Sequence, residues 1–144
     1  MRNPQRVVRI VVVLAIVAGF GLLFRPATAQ VKKGKTRSAT TKQLMKGLVG
    51  SNCGALAKAL KAETPDWEAI GLHAALLNES GHVLMADGRC PDGEWAGGAK
   101  TVQKCSVVVL AKVEAKDIEG ARGAFKALTG GCGQCHKKHK PKKK

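Results

Sequence analysis

The apolar residues of this 144-residue chain form one unbroken run near its start and four spaced patterns after it. Ile10 to Phe24 is apolar throughout, whereas from about residue 39 apolar positions recur every three or four residues, the spacing of one face of a helix. The first pattern, about Ala39 to Ala62, sets Met45, Leu48, Val49, Leu56, Ala59 and Leu60 on one stripe, interrupted by Asn52, with Ser38 as expected N-cap. The second opens on Thr64-Pro65-Asp66, read as an N-cap followed by proline at the first helical position. It aligns Ile70, Ala74, Leu77 and Leu84 to about Met85, with Gly81 weakening the last turn. Asp87 to Gly93 reads as a loop. The third pattern aligns Trp95, Ala99, Val102, Val109 and Val113; Val107-Val108-Val109 would also suit a strand, but the flanking spacing favours a helix. The fourth begins near Asp117 and aligns Ile118, Ala121, Phe125, Leu128, Cys132 and His136. Short links turn each helix back on the one before. The expected fold is therefore all-α, an antiparallel up-down-up-down four-helix bundle. In that topology Met45, the end of the second helix, Trp95 and His136 share one end.

Chemistry is concentrated at that end. Cys132-Gly133-Gln134-Cys135-His136 is the C-x-x-C-H arrangement by which c-type haem is covalently attached. On a helix its two thiols share a face, within reach of the two vinyl groups of one porphyrin, and His136 stays on that face as a proximal iron ligand. A thioredoxin-like pair belongs near a helix start in a βαβ pattern, and a zinc site needs further ligands at short spacing. Neither context is present. One haem c, with its iron, is the expected cofactor.

A sixth iron ligand would come from the same end. Met45 lies on the core stripe of the first helix and could supply its thioether, a combination with histidine that suits electron transfer. By position alone it reads rather as a gap-filling core methionine. Met85 is a rival. His73 faces the core but lies farther down the bundle, His82 points outward, and His139 sits in what reads as a frayed basic tail.

The start of the chain supplies a compartment. Arg2, Arg6 and Arg9, the apolar run, and Ala27-Thr28-Ala29 before Gln30 make an export signal over residues 1–29, cleaved near Ala29. Fifteen apolar residues span only roughly 22 Å as a helix, short of the roughly 30 Å hydrocarbon core. The expected location is periplasmic or otherwise extracytoplasmic.

The formal charge of +15 is unevenly placed. After residue 29 the chain has 21 Lys and Arg against 10 Asp and Glu, yet residues 38–136 are nearly balanced, 11 against 10. The excess lies in a basic segment at 30–37, expected to be disordered, and in the lysines that end the chain, 141–144 being tail beyond a domain at 38–140. With only Trp67, Trp95 and Phe125 as aromatics in the body, specific nucleic-acid binding is not indicated. Partners of the right sign are an acidic redox protein and an anionic membrane surface, and a homodimer is left open. Cys53, Cys90 and Cys105 are additional thiols; Cys53 to Cys105 is the best single bridge and Cys90 the one left over, with three buried free thiols the alternative.

These residues resemble the class II c-type cytochromes, comprising cytochromes c prime and their low-spin relatives. The resemblance covers about residues 38 to 140. It rests on C-x-x-C-H near the C-terminus, Thr41-Lys42-Gln43-Leu44-Met45-Lys46, Glu94-Trp95 and Ala124-Phe125. It implies that Met45 is the axial methionine of the low-spin branch, and that His139 and Lys140 stand where the family carries an aromatic residue and an arginine. The reading is an exported monohaem cytochrome, not an enzyme, that transfers single electrons through a haem on Cys132, Cys135, His136 and Met45. The alternatives are a gas-binding c prime type with an open distal site and a dithiol-disulfide oxidoreductase.

Overall fold

The structure is a computed structural model that describes residues 33–140. The expected export signal, residues 30–32 and the lysine tail at 141–144 lie outside the described residues. The regular structure of the described residues is helical apart from one isolated bridge between Lys33 and Thr40. Helix α1, residues 41–61, consists of three consecutive stretches: α-helical Thr41–Leu44, π-helical Met45–Gly50 and α-helical Ser51–Lys61. Helices α2 (Trp67–Met85), α3 (Gly93–Glu114) and α4 (Ile118–His139) follow.

Each helix begins on a side chain that accepts a backbone N–H of its first turn, a donor the helix itself leaves unpaired. Thr40 accepts from Gln43, Asp66 from Ala69, Asp92 from Trp95 and Asp117 from Gly120. Two of these caps correct the sequence expectation. Ser38 is exposed ahead of α1, because Gln43 accepts the Thr40 N–H at 2.8 Å and closes a capping box that Ser38 has no partner to form. Pro65 lies outside α2, because Asp66, held extended at φ −84°, ψ 92°, is the residue whose carboxylate caps it. Helix α2 runs through Gly81 to Met85, and the valine run in α3 is helical, with Val109 buried and Val107 and Val108 exposed.

The four helices pack together, α2 against α1 and α3, and α4 against α3 and α1. Leu56, Leu60, Ile70, Leu77, Val109 and Leu128 are buried at their centre. The α4 face differs from the expected one: Ala121, Leu128, Gly131, Cys135 and His139 are buried, while Phe125, Cys132 and His136 flank them half-buried. All five cysteines are free, and α1 packs mainly against α2 and α4, so the expected Cys53–Cys105 bridge across the diagonal is not formed.

Part of the basic segment expected to be disordered is tied down. The Asp87 carboxylate, in the turn after α2, accepts from the Thr36 backbone and hydroxyl at 2.9 and 2.8 Å and from the Arg37 N–H at 3.2 Å. Arg89, fully buried, bridges Asp87 at 2.9 Å and the Ala39 carbonyl at 3.0 Å. Burial works against the Asp87 charge, but the bonds from Thr36, Arg37 and Arg89 prevail and bring its pKa down to about 2. This strap fixes the entry into α1 against the α2–α3 loop. Among the described residues no helix is long and apolar enough to cross a membrane.

Candidate functional site

Three helix ends are joined around Trp95. Its indole, 1% exposed, donates to the Leu84 carbonyl at 2.8 Å and meets the His139 ring edge-on, centroids 5.3 Å apart. His139 is thus no frayed tail residue; it is buried, with Nε2 3.1 Å from the Asp92 oxygen that caps α3. Lys138 adds Nζ contacts of 3.0 Å to Asp92 and 2.8 Å to Glu94. Asp92 therefore ties the first turn of α3 to the last turn of α4, with its charge at the positive end of one helix dipole and beside the Lys138 ammonium at the negative end of the other. The Trp95 N–H bond, then Lys138 and His139, outweigh partial burial and hold the Asp92 carboxyl at about 2.

This joint frames an apolar cleft of about 360 Å³, counting the part open to solvent. Cys132, Cys135 and His136 of α4 line it together with Met45 and Val49 of α1, Leu84 of α2, and Trp95 and Gly98 of α3. All four residues expected from the sequence are brought together. Gly98 lets α4 lie close: a β-carbon there would fall 2.7 Å from the Cys135 Cβ, so any side chain would push the motif turn away. The rivals to Met45 lie elsewhere. Met85 packs against the core without lining the cleft, His82 is exposed, and His73 Nδ1 is 3.0 Å from Asn52 Oδ1. Asn52, which breaks the apolar stripe, thereby pairs α1 with α2 and also donates to the Leu48 carbonyl at 2.7 Å.

Electrostatics decide the resting form of each group. Burial, and then the neighbouring Cys53 and Cys135, push the Cys132 thiol up to about 11. Cys135 is raised by burial and by Asp92 and Cys90. The motif also occupies the end of α4, where the helix dipole disfavours thiolate. Burial, and then Lys140, lower the His136 pKa, which leaves a neutral imidazole with a free lone pair. The cleft at neutral pH holds two protonated thiols, a neutral imidazole and a thioether. Among the described residues no three His, Cys, Asp or Glu side chains converge to hold a metal ion.

Sequence reasoning missed Asp92 and His139. Their signal was present: Asp92 stands three residues before Trp95 at a helix start, and His139 continues the spacing of Leu128, Gly131 and Cys135. No family model matches the chain, and no curated protein or solved structure matches it either. What the cleft can do is set by its own side chains.

Proposed function

We propose that this chain is an exported electron-transfer protein, a monohaem cytochrome of the class II c-type kind. Its helices would form an antiparallel up-down-up-down bundle with the haem at one end, bound through thioethers from Cys132 and Cys135 and through His136 and Met45 as axial ligands. The observation that carries the reading is that Met45, at the start of α1, lines one apolar cleft with Cys132, Cys135 and His136 at the end of α4. The antiparallel course is supported by the bonds joining Trp95 to the end of α2 and Asp92 to the end of α4. A haem bound there supplies a one-electron iron couple. His136 would present a neutral nitrogen and Met45 a soft neutral sulfur that favours the ferrous state, and Val49, Leu84 and Trp95 would keep water from the metal. With His136 and Met45 both holding the haem, no site would be left for a substrate, so the role proposed is electron transfer and not catalysis.

The alternatives fit less well. An open gas-binding site needs an unreactive residue where Met45 stands. A dithiol oxidoreductase needs a thiol of lowered pKa, usually at a helix start, whereas both thiols here are raised and lie at a helix end. The optical spectrum of the matured protein tests the reading. It should be low-spin in both oxidation states, with the far-red methionine-to-ferric band and slow carbon monoxide binding. Met45→Leu, close in volume, should make it high-spin and quick to bind carbon monoxide while costing under about 1.5 kcal/mol of stability. A high-spin wild type would sink the Met45 assignment in favour of gas binding.

The partner follows from charge. Lys35, Arg37, Lys42, Lys46, Lys137 and Lys140 are exposed on the segments that build the cleft end, while the acids there, Asp87, Asp92 and Glu94, are engaged by Arg89, Lys138 or His139. The cleft end thus carries the excess cations, and an acidic redox protein is the partner it fits; an anionic membrane surface and a second copy are weaker candidates. Electron transfer to an acidic partner should slow steeply between 0.01 M and 0.1 M ionic strength, over which the Debye length falls from about 30 Å to about 10 Å. A rate flat across that range would remove electrostatic docking from the account.

A further inference from the structure

Met45 enters the cleft from a part of α1 that is not α-helical. Over Met45–Gly50 the chain runs as a π-helix, a form that takes up an extra residue in its turn, and the Ser51 hydroxyl donates to the Lys46 carbonyl five residues back at 3.2 Å. One extra residue rotates everything ahead of it by about 100° relative to everything after it. In an unbroken α-helix Met45 would stand in line with Asn52, seven residues on, whose side chain faces His73 of α2. The π-turn brings Met45 into line with Cys53 instead, and Met45 lines the cleft together with Cys132 and His136 of α4. The rotation therefore carries Met45 from the α2 side of α1 to the side that meets Cys132 and His136. Thr41, one turn earlier, is fully buried.

The three glycines of α1 are not equivalent in this respect. A β-carbon at Gly50 would lie 2.8 Å from the Met45 carbonyl oxygen, a backbone atom that cannot move aside without opening the π-turn. At Gly47 and Gly54 a β-carbon would meet nothing within 4 Å. We propose that Gly50 is a positioning residue for the distal ligand: by leaving room for the π-turn it aims Met45 at the iron of a haem held by α4. This rests on the His136 and Met45 assignment above. Gly50→Ala should shift α1 toward the regular register, which alanine also favours intrinsically, and swing the thioether toward α2.

The test uses the haem-loaded full chain, after wild type and Met45→Leu have been recorded. Gly50→Ala should retain its helical circular dichroism and lose the far-red band, becoming high-spin with rapid carbon monoxide binding. Gly47→Ala and Gly54→Ala should keep the wild-type spectrum. Deleting Gly47 from the Gly50→Ala variant removes the extra residue, so a regular helix places Met45 seven positions before Cys53 and the low-spin spectrum should return. That rescue is a result a merely destabilised fold would not produce. Gly50→Ala that keeps the far-red band, or a high-spin form that the deletion does not reverse, overturns the role of Gly50 and leaves the ligand assignment standing. A Met45→Leu protein with unchanged low-spin iron overturns both.

Discussion

Trp95→Ala is expected to remove about 3–5 kcal/mol, against a total of about 5–15 kcal/mol for a domain of this size. The indole is 1% exposed, so its loss leaves a cavity instead of a surface dent. It also takes away the bond to the Leu84 carbonyl and the edge contact that seats His139, which loosens the ends of α2 and α4 together. Trp95→Phe separates these effects: it keeps an aromatic body and drops the indole N–H, and should cost only about 1–2 kcal/mol from the unpaired carbonyl. Urea unfolding of both variants without haem measures the difference directly. A Trp95→Ala midpoint within error of wild type would mean that the joint between α2, α3 and α4 does not stabilise the fold.

Loss of both motif thiols should have the largest functional effect. Cys132→Ala with Cys135→Ala leaves no sulfur for a thioether, so covalent haem should disappear entirely from the denatured polypeptide's mass and from haem-stained denaturing gels. Each single substitution should leave at most one thioether. The two sites are not alike: Cys135 is buried over Gly98, whereas Cys132 is half-buried beside Cys53. Cys135→Ala therefore also removes packing between α3 and α4, and should be the less stable of the two without haem. His136→Ala should keep the thiols and fail to mature or ligate normally. Wild-type haem that extracts into acid acetone would end the covalent reading.

Much of the molecule was legible in the order of its residues. Helix number and boundaries follow from apolar spacing, with the fourth helix beginning at Asp117 and a loop ahead of Trp95 as expected. The misplaced caps show where local rules compete. Ser38 and Thr40 are both good cap residues, and the choice fell to the one with a glutamine three positions on. Likewise Asn52 reads as a flaw in a stripe until His73 of another helix is found beside it. His139 reads as tail because it stands among lysines, and becomes core only when Asp92 and Trp95 arrive from α3.

The sequence by itself determined the helices and the C-x-x-C-H motif, because periodicity and that motif are local properties of three to five residues, and it placed Met45 on an apolar stripe. Only the tertiary structure decided which way Met45 faces from α1. A uniform 100° per residue already puts Met45 on the apolar stripe, but on the α2 side. The π-turn, a departure of a single residue permitted where Gly50 has no side chain, turns it toward α4. That α4 folds back on α3 was expected from the short link between them, but the contacts that seat it there, Asp92 with His139 and Gly98 under Cys135, join segments some forty residues apart in the chain. Such contacts are selected by the packing of whole faces, which no short window of sequence contains.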